Sequence, residues 1–378
     1  MRVLFYVLHL QGIGHVVRST RICAQLAEEG CDVTLVLGGM PIDGFEAGKA
    51  KVVQLPPLRM APDSYRVLRK ENGEPVDDAY KAARMAQLSQ TLDQSNPQAV
   101  LVEAFPFDRP QMHFEIIPFL EAARQRDPRP IIVSSIRDIL QRKAKPERDE
   151  NALENLNRLF DYVTIHGDPQ VATLDETFRH TDEIKDKIHY TGIVAPVMPP
   201  EPIEKAYDVI ISAGGGATGE AILKAAIAAK PHTPLKHKRW VATLGPHSED
   251  AAANEVRTMA AAQNVVVVPF LDQLAARLSV ADFSISQAGY NTAADILLSG
   301  CTSVMCPYSG IRQNEQPQRA EKFEKLGLAK VVSEQDLSTE TLIAAVNSAL
   351  AMPEPNVKVD LNGASNTVRI LRELVKRS

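Results

Sequence analysis

Aromatic residues are scarce in this 378-residue chain, at 5% with a single tryptophan. Rows of stacking rings for single-stranded nucleic acid are therefore excluded. An excess of positive charge is also lacking: 42 Lys and Arg face 47 Asp and Glu, a net charge of -5. A nucleic-acid binder needs a basic face, so that class is excluded too. The four cysteines, Cys23, Cys31, Cys301 and Cys306, form no C-x-x-C pair and no Cys/His cluster. Neither a zinc site nor a disulfide framework is expected in a chain of this length. No apolar run reaches the roughly 18 residues needed to span a bilayer. Residues 1–10 are apolar enough for a short secretory leader, but no small-residue cleavage site follows and the run enters Gln11-Gly12-Ile13-Gly14-His15. The expectation is a buried first strand and a cytoplasmic protein.

What is present is ordinary globular material, 44% hydrophobic and 24% charged. At about 150 residues per domain, the length suggests two to three domains. Short β-rich runs alternate with amphipathic segments, the pattern of βαβ units around parallel sheets. Strands are expected at 3–8, 33–37, 52–55, 99–102, 131–134 and 162–165, with a helix over 16–29 after the first. Prolines cluster in 194–202, which suits a semi-rigid connector. The opening theme then returns: a strand at 208–212, a glycine loop at 213–219 and a helix at 220–230. Further strands are expected at 240–244, 265–268, 282–286 and 303–306. The fold class is α/β, with two Rossmann-like, doubly wound parallel-sheet domains. They are expected over 1–195 and 203–362, joined by a linker at 196–202. A closing helix at 363–378 carries Val368, Leu371, Leu374 and Val375 at helical spacing. Its apolar face needs a partner, and the first domain is the candidate.

Two glycine loops follow a strand and open a helix. In the first, Gly12 and Gly14 let a ligand approach the backbone, and amides at the helix start favour a polar oxygen. It is not the G-x-G-x-x-G dinucleotide fingerprint, because position 17 is valine. His15 sits at the helix N-terminus, where the dipole disfavours imidazolium. A neutral imidazole suits a general base; equally, His15 is a helix-start residue bonded to nearby backbone. The second loop, with Gly214, Gly215 and Gly216, lacks the Lys-Ser/Thr of a P-loop. It offers amides to a diphosphate, or small residues for close packing.

A third region is more specific. Phe270 and Leu271 follow a strand, and Gln287, Gly289, Asn291, Thr292 and Asp295 follow the next. After one more strand come Glu315 and Gln316, then Arg319. Strand carboxyl ends are where open α/β sheets bind ligands. A carboxylate accepts from both hydroxyls of a ribose, and a Glu-Gln pair can read a sugar's hydroxyls. In the first half, Glu103, Arg109, Glu115 and Asp138 follow strands and can orient His15, bind acceptor hydroxyls, or form loop ion pairs with residues such as Arg137. A basic cluster from Arg124 to Arg148 includes Arg129, Arg142, Lys143 and Lys145, diluted by Asp127, Glu147 and Asp149; it reads as a solvated face. No Asp-x-Asp pair, the common metal-diphosphate clamp, occurs in the chain.

Residues 270–327 resemble the nucleotide-sugar half of family 28 glycosyltransferases of the MurG type, which add N-acetylglucosamine to a lipid-linked cell-wall precursor. The two glycine loops fall in that family's order. The Gly-x-Gly-His-x-x-Arg segment at Gly12 to Arg18 and the Glu-x-Phe-Pro-Phe segment at Glu103 to Phe107 also resemble predicted glycosyltransferases of the superfamily. The resemblance implies a GT-B fold, two such domains facing a central cleft. It implies a metal-independent, inverting transfer from a UDP-sugar, used as co-substrate with no other cofactor. Phe270 and Leu271 then border the uracil, Asp295 takes the place of a ribose-binding Glu, and Gly289 makes a tight turn under the nucleotide. The second glycine loop lies near the diphosphate, and Glu315 and Gln316 replace a Gln pair at the donor sugar. Gln287, Asn291 and Thr292 belong to the same donor segment. His15 becomes the base facing the acceptor, with Gly12, Gly14, Arg18, Glu103, Arg109 and Asp138 around it. Glu for Gln, Asp for Glu and one extra residue after Pro307 leave the donor sugar open. The acceptor, whether glycan, lipid-linked sugar or small metabolite, is equally open, with at most peripheral membrane contact. Rival expectations are a nucleotide-sugar hydrolase or 2-epimerase, or a non-catalytic nucleotide-sugar-binding protein.

Overall fold

Parallel strands dominate the computed structural model, which describes residues 1–10, 13–61, 64–140, 146–213, 217–245, 251–310 and 314–377. The chain divides into two units. Met1–Pro169, Thr173–Val194 and Asn362–Ser378 make the first; Gln170–Ala172 and Ala195–Leu361 make the second.

The first unit opens with β1 (Arg2–Val7), α1 (Gly14–Glu28), β2 (Asp32–Leu37) and β3 (Lys51–Gln54). A short antiparallel pair, β4 (Arg59–Ala61) and β5 (Ser64–Arg69), leads to α2 (Asp78–Ser95). Then come β6 (Ala99–Glu103), α3 (His113–Arg124), β7 (Ile131–Arg137), α4 (Pro146–Leu159), β8 (Tyr162–His166) and β9 (Ile188–Tyr190). The parallel sheet runs β3-β2-β1-β6-β7-β8-β9. Alternation along β1 sends Leu4 and Tyr6 into one core layer and Val3, Phe5 and Val7 into the other. Both faces are covered, which is why these strands read as unbroken apolar runs.

Residues 56–95 show no clear pattern in the sequence, and the structure explains why. The buried face of α2 is Arg84, Leu88, Thr91 and Leu92, a helical stripe half polar. Arg84 is fully buried and bonds Glu115 on α3 twice, Nε to Oε2 and Nη2 to Oε1, both at 2.7 Å. Tyr6 donates its hydroxyl to the same carboxylate, and Arg84 also donates to the Gly38 carbonyl at 3.1 Å. A polar bolt thus holds α2 in place of a purely apolar stripe. It also engages Glu115 away from His15, contrary to one sequence expectation.

The second unit contains β10 (Val209–Ser212), α5 (Ala217–Ala229), β11 (Trp240–Thr243), α6 (Ala251–Ala262), β12 (Val265–Val268) and α7 (Leu274–Val280). It continues through β13 (Phe283–Ser286), α8 (Tyr290–Ser299), β14 (Ser303–Met305), α9 (Glu315–Lys325), β15 (Lys330–Val331) and α10 (Thr339–Leu350). Its parallel sheet runs β12-β11-β10-β13-β14-β15. Trp240, buried in its core, donates its indole N–H to the Leu235 carbonyl at 2.9 Å.

The closing helix α11 (Gly363–Arg377) returns to the first unit. Val368, Leu371 and Leu374 join Ile22, Cys23 and Leu26 of α1 in one core layer. A Cβ on Gly363 would sit 2.6 Å from the Gly192 carbonyl oxygen, so only glycine permits that approach. Arg372 donates to Glu29 Oε2 at 2.7 Å and Asn366 to the Thr191 carbonyl at 2.8 Å.

Both sheets have the same winding. Each grows one way from its first strand and then reverses, so the switch points lie between β1 and β6 and between β10 and β13. The carboxyl edge at a switch point is the ligand site of open α/β sheets.

Candidate active site

At the first switch point, α1 starts at Gly14, two residues before the expected start, so His15 lies in the first turn of the helix. Glu103 is the last residue of β6, the neighbouring strand. His15 Nδ1 lies 2.6 Å from Glu103 Oε1, and Arg18, one turn along α1, donates from Nη2 to the same oxygen at 2.5 Å. The side chains of Glu103 and Arg18 are 1% and 2% exposed, that of His15 15%. Arg109, in the loop after β6, lies with Nη2 3.4 Å from His15 Nε2. A small depression opens beside them, lined by His15, Glu103, Phe107, Asp108, Ile136 and Arg137 among others.

The electrostatics follow from burial and neighbours. Burial alone would raise the Glu103 carboxyl, but His15 and the guanidinia of Arg18 and Arg109 outweigh it and bring the pKa down to about 2. Burial lowers His15 below its ordinary value; Glu103 pulls the other way, and Arg109 and Arg137 add to the lowering. The site therefore holds a carboxylate and a neutral imidazole near pH 7, which is the state a general base requires.

Of the other residues expected here, Gly14 begins α1, and Gly12 lies outside the described residues. Asp138 is buried just past β7, where its Oδ1 accepts from the Ile139 amide at 2.9 Å, and it is not among the residues lining the depression. The structure adds His9, at the end of the first strand's apolar run. Its Nε2 donates to the Met40 carbonyl at 2.7 Å, and burial, helped by His15 and Arg109, lowers its pKa. A Cβ on Gly39 would fall 1.9 Å from the His9 carbonyl oxygen, so glycine alone lets the chain after β2 lie against it. The only sequence signal for His9 was its place two residues before the glycine loop. The basic cluster is a paired surface: Arg124 and Arg129 meet Asp161, and Arg126 meets Asp93 at 2.6 Å. Arg142, Lys143 and Lys145 lie outside the described residues.

Around the second switch point the polar side chains range from partly to fully buried. Gly214, Gly215 and Gly216 lie outside the described residues, between β10 and α5. Gln287 follows β13 and donates its amide to the Ser212 carbonyl at 3.2 Å. Gly289 has extended backbone (φ -63, ψ 151) as the N-cap of α8, so it makes no tight turn; a Cβ there would meet nothing within 4 Å. Asn291 and Thr292 are half-buried in the first turn of α8, and Asp295 is buried one turn on. Glu315 and Gln316 begin α9. Gln316 Oε1 accepts from the Tyr308 amide at 3.1 Å, which closes the loop after β14. Arg319, fully buried, donates to the Ala288 carbonyl at 2.8 Å and so ties α9 to the loop before α8. Phe270 is 72% exposed, whereas Leu271 beside it is buried in the core. Among the described residues no three His, Cys, Asp or Glu side chains are grouped to hold a metal ion, and no helix is long and apolar enough to cross a membrane.

Comparison with known proteins gives this geometry a context. Residues 205–372 match the glycosyltransferase family 28 C-terminal domain. The chain resembles MurG-type glycosyltransferases, and its fold is GT-B. A relative from Geotalea daltonii, named UDP-N-acetylglucosamine--N-acetylmuramyl-(pentapeptide) pyrophosphoryl-undecaprenol N-acetylglucosamine transferase, is 28% identical over 141 residues, 37% of this chain and 38% of that protein. A relative of the same name from Leuconostoc citreum is 30% identical over 139 residues, 36% of this chain and 38% of that protein. The chain thus spans about two fifths of the length of these relatives. The GT-B likeness extends further: MurG of Acinetobacter baumannii covers 99% of this chain and is itself covered over 100%, at TM-score 0.59 and 15% identity. The glycosyltransferase VinC, solved in complex with dTDP, matches over 100% of both chains at TM-score 0.62 and 15% identity.

Proposed function

We propose that the protein transfers a sugar from a UDP-sugar to an acceptor hydroxyl, without a metal and with inversion, using His15 as general base. The acceptor oxygen gives its proton to His15 Nε2 and bonds to the anomeric carbon. The bond from that carbon to the diphosphate breaks, and UDP leaves. Glu103 accepts a hydrogen bond from Nδ1–H, fixes the tautomer with a lone pair on Nε2, and offsets the imidazolium that forms. The start of α5, where the first main-chain N–H groups have no partner within the helix, is assigned the charge on the departing diphosphate. Phe270, Asp295 and the Glu315–Gln316 pair are assigned to the donor.

The observation that carries this reading is the His15–Glu103 contact at 2.6 Å on a depression at the first switch point. The family 28 match over 205–372 supports a nucleotide-sugar donor in the second unit. A thermal-shift comparison of UDP-, GDP- and dTDP-sugars identifies the donor, since a ligand at about 100 times its Kd adds about 2.7 kcal/mol. With that donor, His15→Ala should lose about 10²–10⁴ in turnover while UDP binding is kept. Unchanged turnover removes His15 from the mechanism.

A further inference from the structure

His15 is held by two groups of opposite chemistry, and together they fix its state. A carboxylate only accepts, so Nδ1, 2.6 Å from Glu103 Oε1, carries the proton. A guanidinium only donates, so Nε2, 3.4 Å from Arg109 Nη2, presents its lone pair. Imidazolium has no lone pair to offer. The Arg109 contact and a protonated His15 are therefore mutually exclusive.

Arg109 is built to reach that nitrogen. Its backbone is left-handed (φ 66, ψ 43) at the start of the short turn Pro110–Met112. Its side chain is 10% exposed, and Nη1 forms an ion pair with Asp108 Oδ2 at 3.2 Å. Its Nε is buried with no hydrogen-bond partner among the described residues. The guanidinium is thus oriented by Asp108 and His15 while one of its donors stays unused.

We infer that Arg109 guards the base: its guanidinium occupies the lone pair of His15 Nε2, and the acceptor hydroxyl must exchange with it before the proton can move. Water at the same place has fewer contacts with which to drive that exchange, so the guard favours transfer over hydrolysis of the donor. Once the proton arrives, Nε2–H and the guanidinium repel, and Arg109 returns only after His15 has lost that proton. The charged and titratable groups around His15 are Glu103 on β6, Arg18 on α1, Arg137 on β7, Arg109 and Asp108 in the loop after β6, and His9 beyond β1. The inference rests on the reading of His15 as base and makes Arg109 a positioning residue.

The test compares the NMR titration of the His15 imidazole in the natural protein and in Arg109→Gly. Glycine adopts the left-handed conformation without a side-chain penalty, so the loop keeps its backbone while the cation is lost. The His15 titration should move to higher pH, and consumption of UDP-sugar without an acceptor should rise several-fold relative to transfer. Arg109→Lys, which restores a cation, should recover part of the depression, a rescue that a merely structural role would not give. An unmoved or lowered titration in Arg109→Gly overturns the contact, and an unchanged ratio of hydrolysis to transfer overturns the guard. If the natural protein turns over no nucleotide-sugar at all, the proposed function falls, yet the titration still decides the contact.

Discussion

The two switch points share a topology and differ in how they hold polar groups. Between β1 and β6, His15, Glu103, Arg18 and Arg109 are largely buried and bonded to one another. Around β13 and β14, Asp295 is buried, but Gln287, Asn291 and Thr292 are only partly buried and Gln316 closes its own loop, while Phe270, after β12, stands in solvent. Groups that move protons must be pre-set in charge and direction before a substrate arrives, and burial among charges achieves that at a cost in folding. Groups that recognise a ligand must remain reachable. The first site is therefore expected to fail by unfolding when its charges are cut. The second should fail by losing affinity.

The sharpest test of that contrast is Glu103→Ala. Arg18 would be left 2% exposed without its carboxylate, and breaking a buried pair from one side costs about 3–5 kcal/mol. Denaturant midpoints measure it. A loss below about 1 kcal/mol would show that the charges are far better solvated than their burial implies.

Acid should also find the first unit before the second. His166, at the end of β8, is buried between Ser135 Oγ, 2.8 Å from Nε2, and Thr191 Oγ1, 3.0 Å from Nδ1. Burial, with Arg18 adding, lowers its pKa to about 3. Between pH 6.5 and about 3 the unfolded chain binds a proton that the folded one refuses. Stability falls with pH in that window, by up to about 1.4 kcal/mol per unit. Glu103 follows with the usual carboxylate sign: its contribution is complete above 4.5 and is lost as pH drops toward 2. His9, His15, His113 and His189, all in the first unit, are lowered too. His232 and His237 of the second unit are exposed. Hydrogen exchange at falling pH should open the first unit first, and His166→Gln should flatten its decline above pH 4.5. Simultaneous opening of both units would erase the distinction.

Much of this was legible in the sequence because parallel strands buried on both faces leave apolar runs, and glycine loops mark where they feed helices. Arg18 could be named as a candidate from its place in the Gly-x-Gly-His-x-x-Arg segment and Glu103 from its place at a strand end; the shared oxygen that joins them is a tertiary fact. The α2 region stayed illegible because its buried stripe includes Arg84 and Thr91, and no periodicity of apolar residues reports an arginine paired with a carboxylate across 31 residues of chain. Gly289 misled for the opposite reason. Glycine after a strand implies a backbone turn, yet its φ of -63 is open to any residue, so what glycine provides there is space.

Phe270→Ala carries the smallest effect on the fold. The ring is 72% exposed, and surface truncations of this kind stay within about 0.5 kcal/mol. Leu271, its neighbour, is the internal control: it packs in the core, and its removal should cost about 2–5 kcal/mol. If the exposed ring borders the donor base, its loss removes a stacking face worth about 1–3 kcal/mol, which calorimetry reads as a Kd for UDP weaker by about 5- to 150-fold. Affinity would then fall where stability does not, the reverse of the Glu103→Ala outcome. An unchanged Kd for UDP would leave Phe270 outside the proposed donor site, and the contrast with the first site would then have to rest on the partly buried Gln287, Asn291 and Thr292.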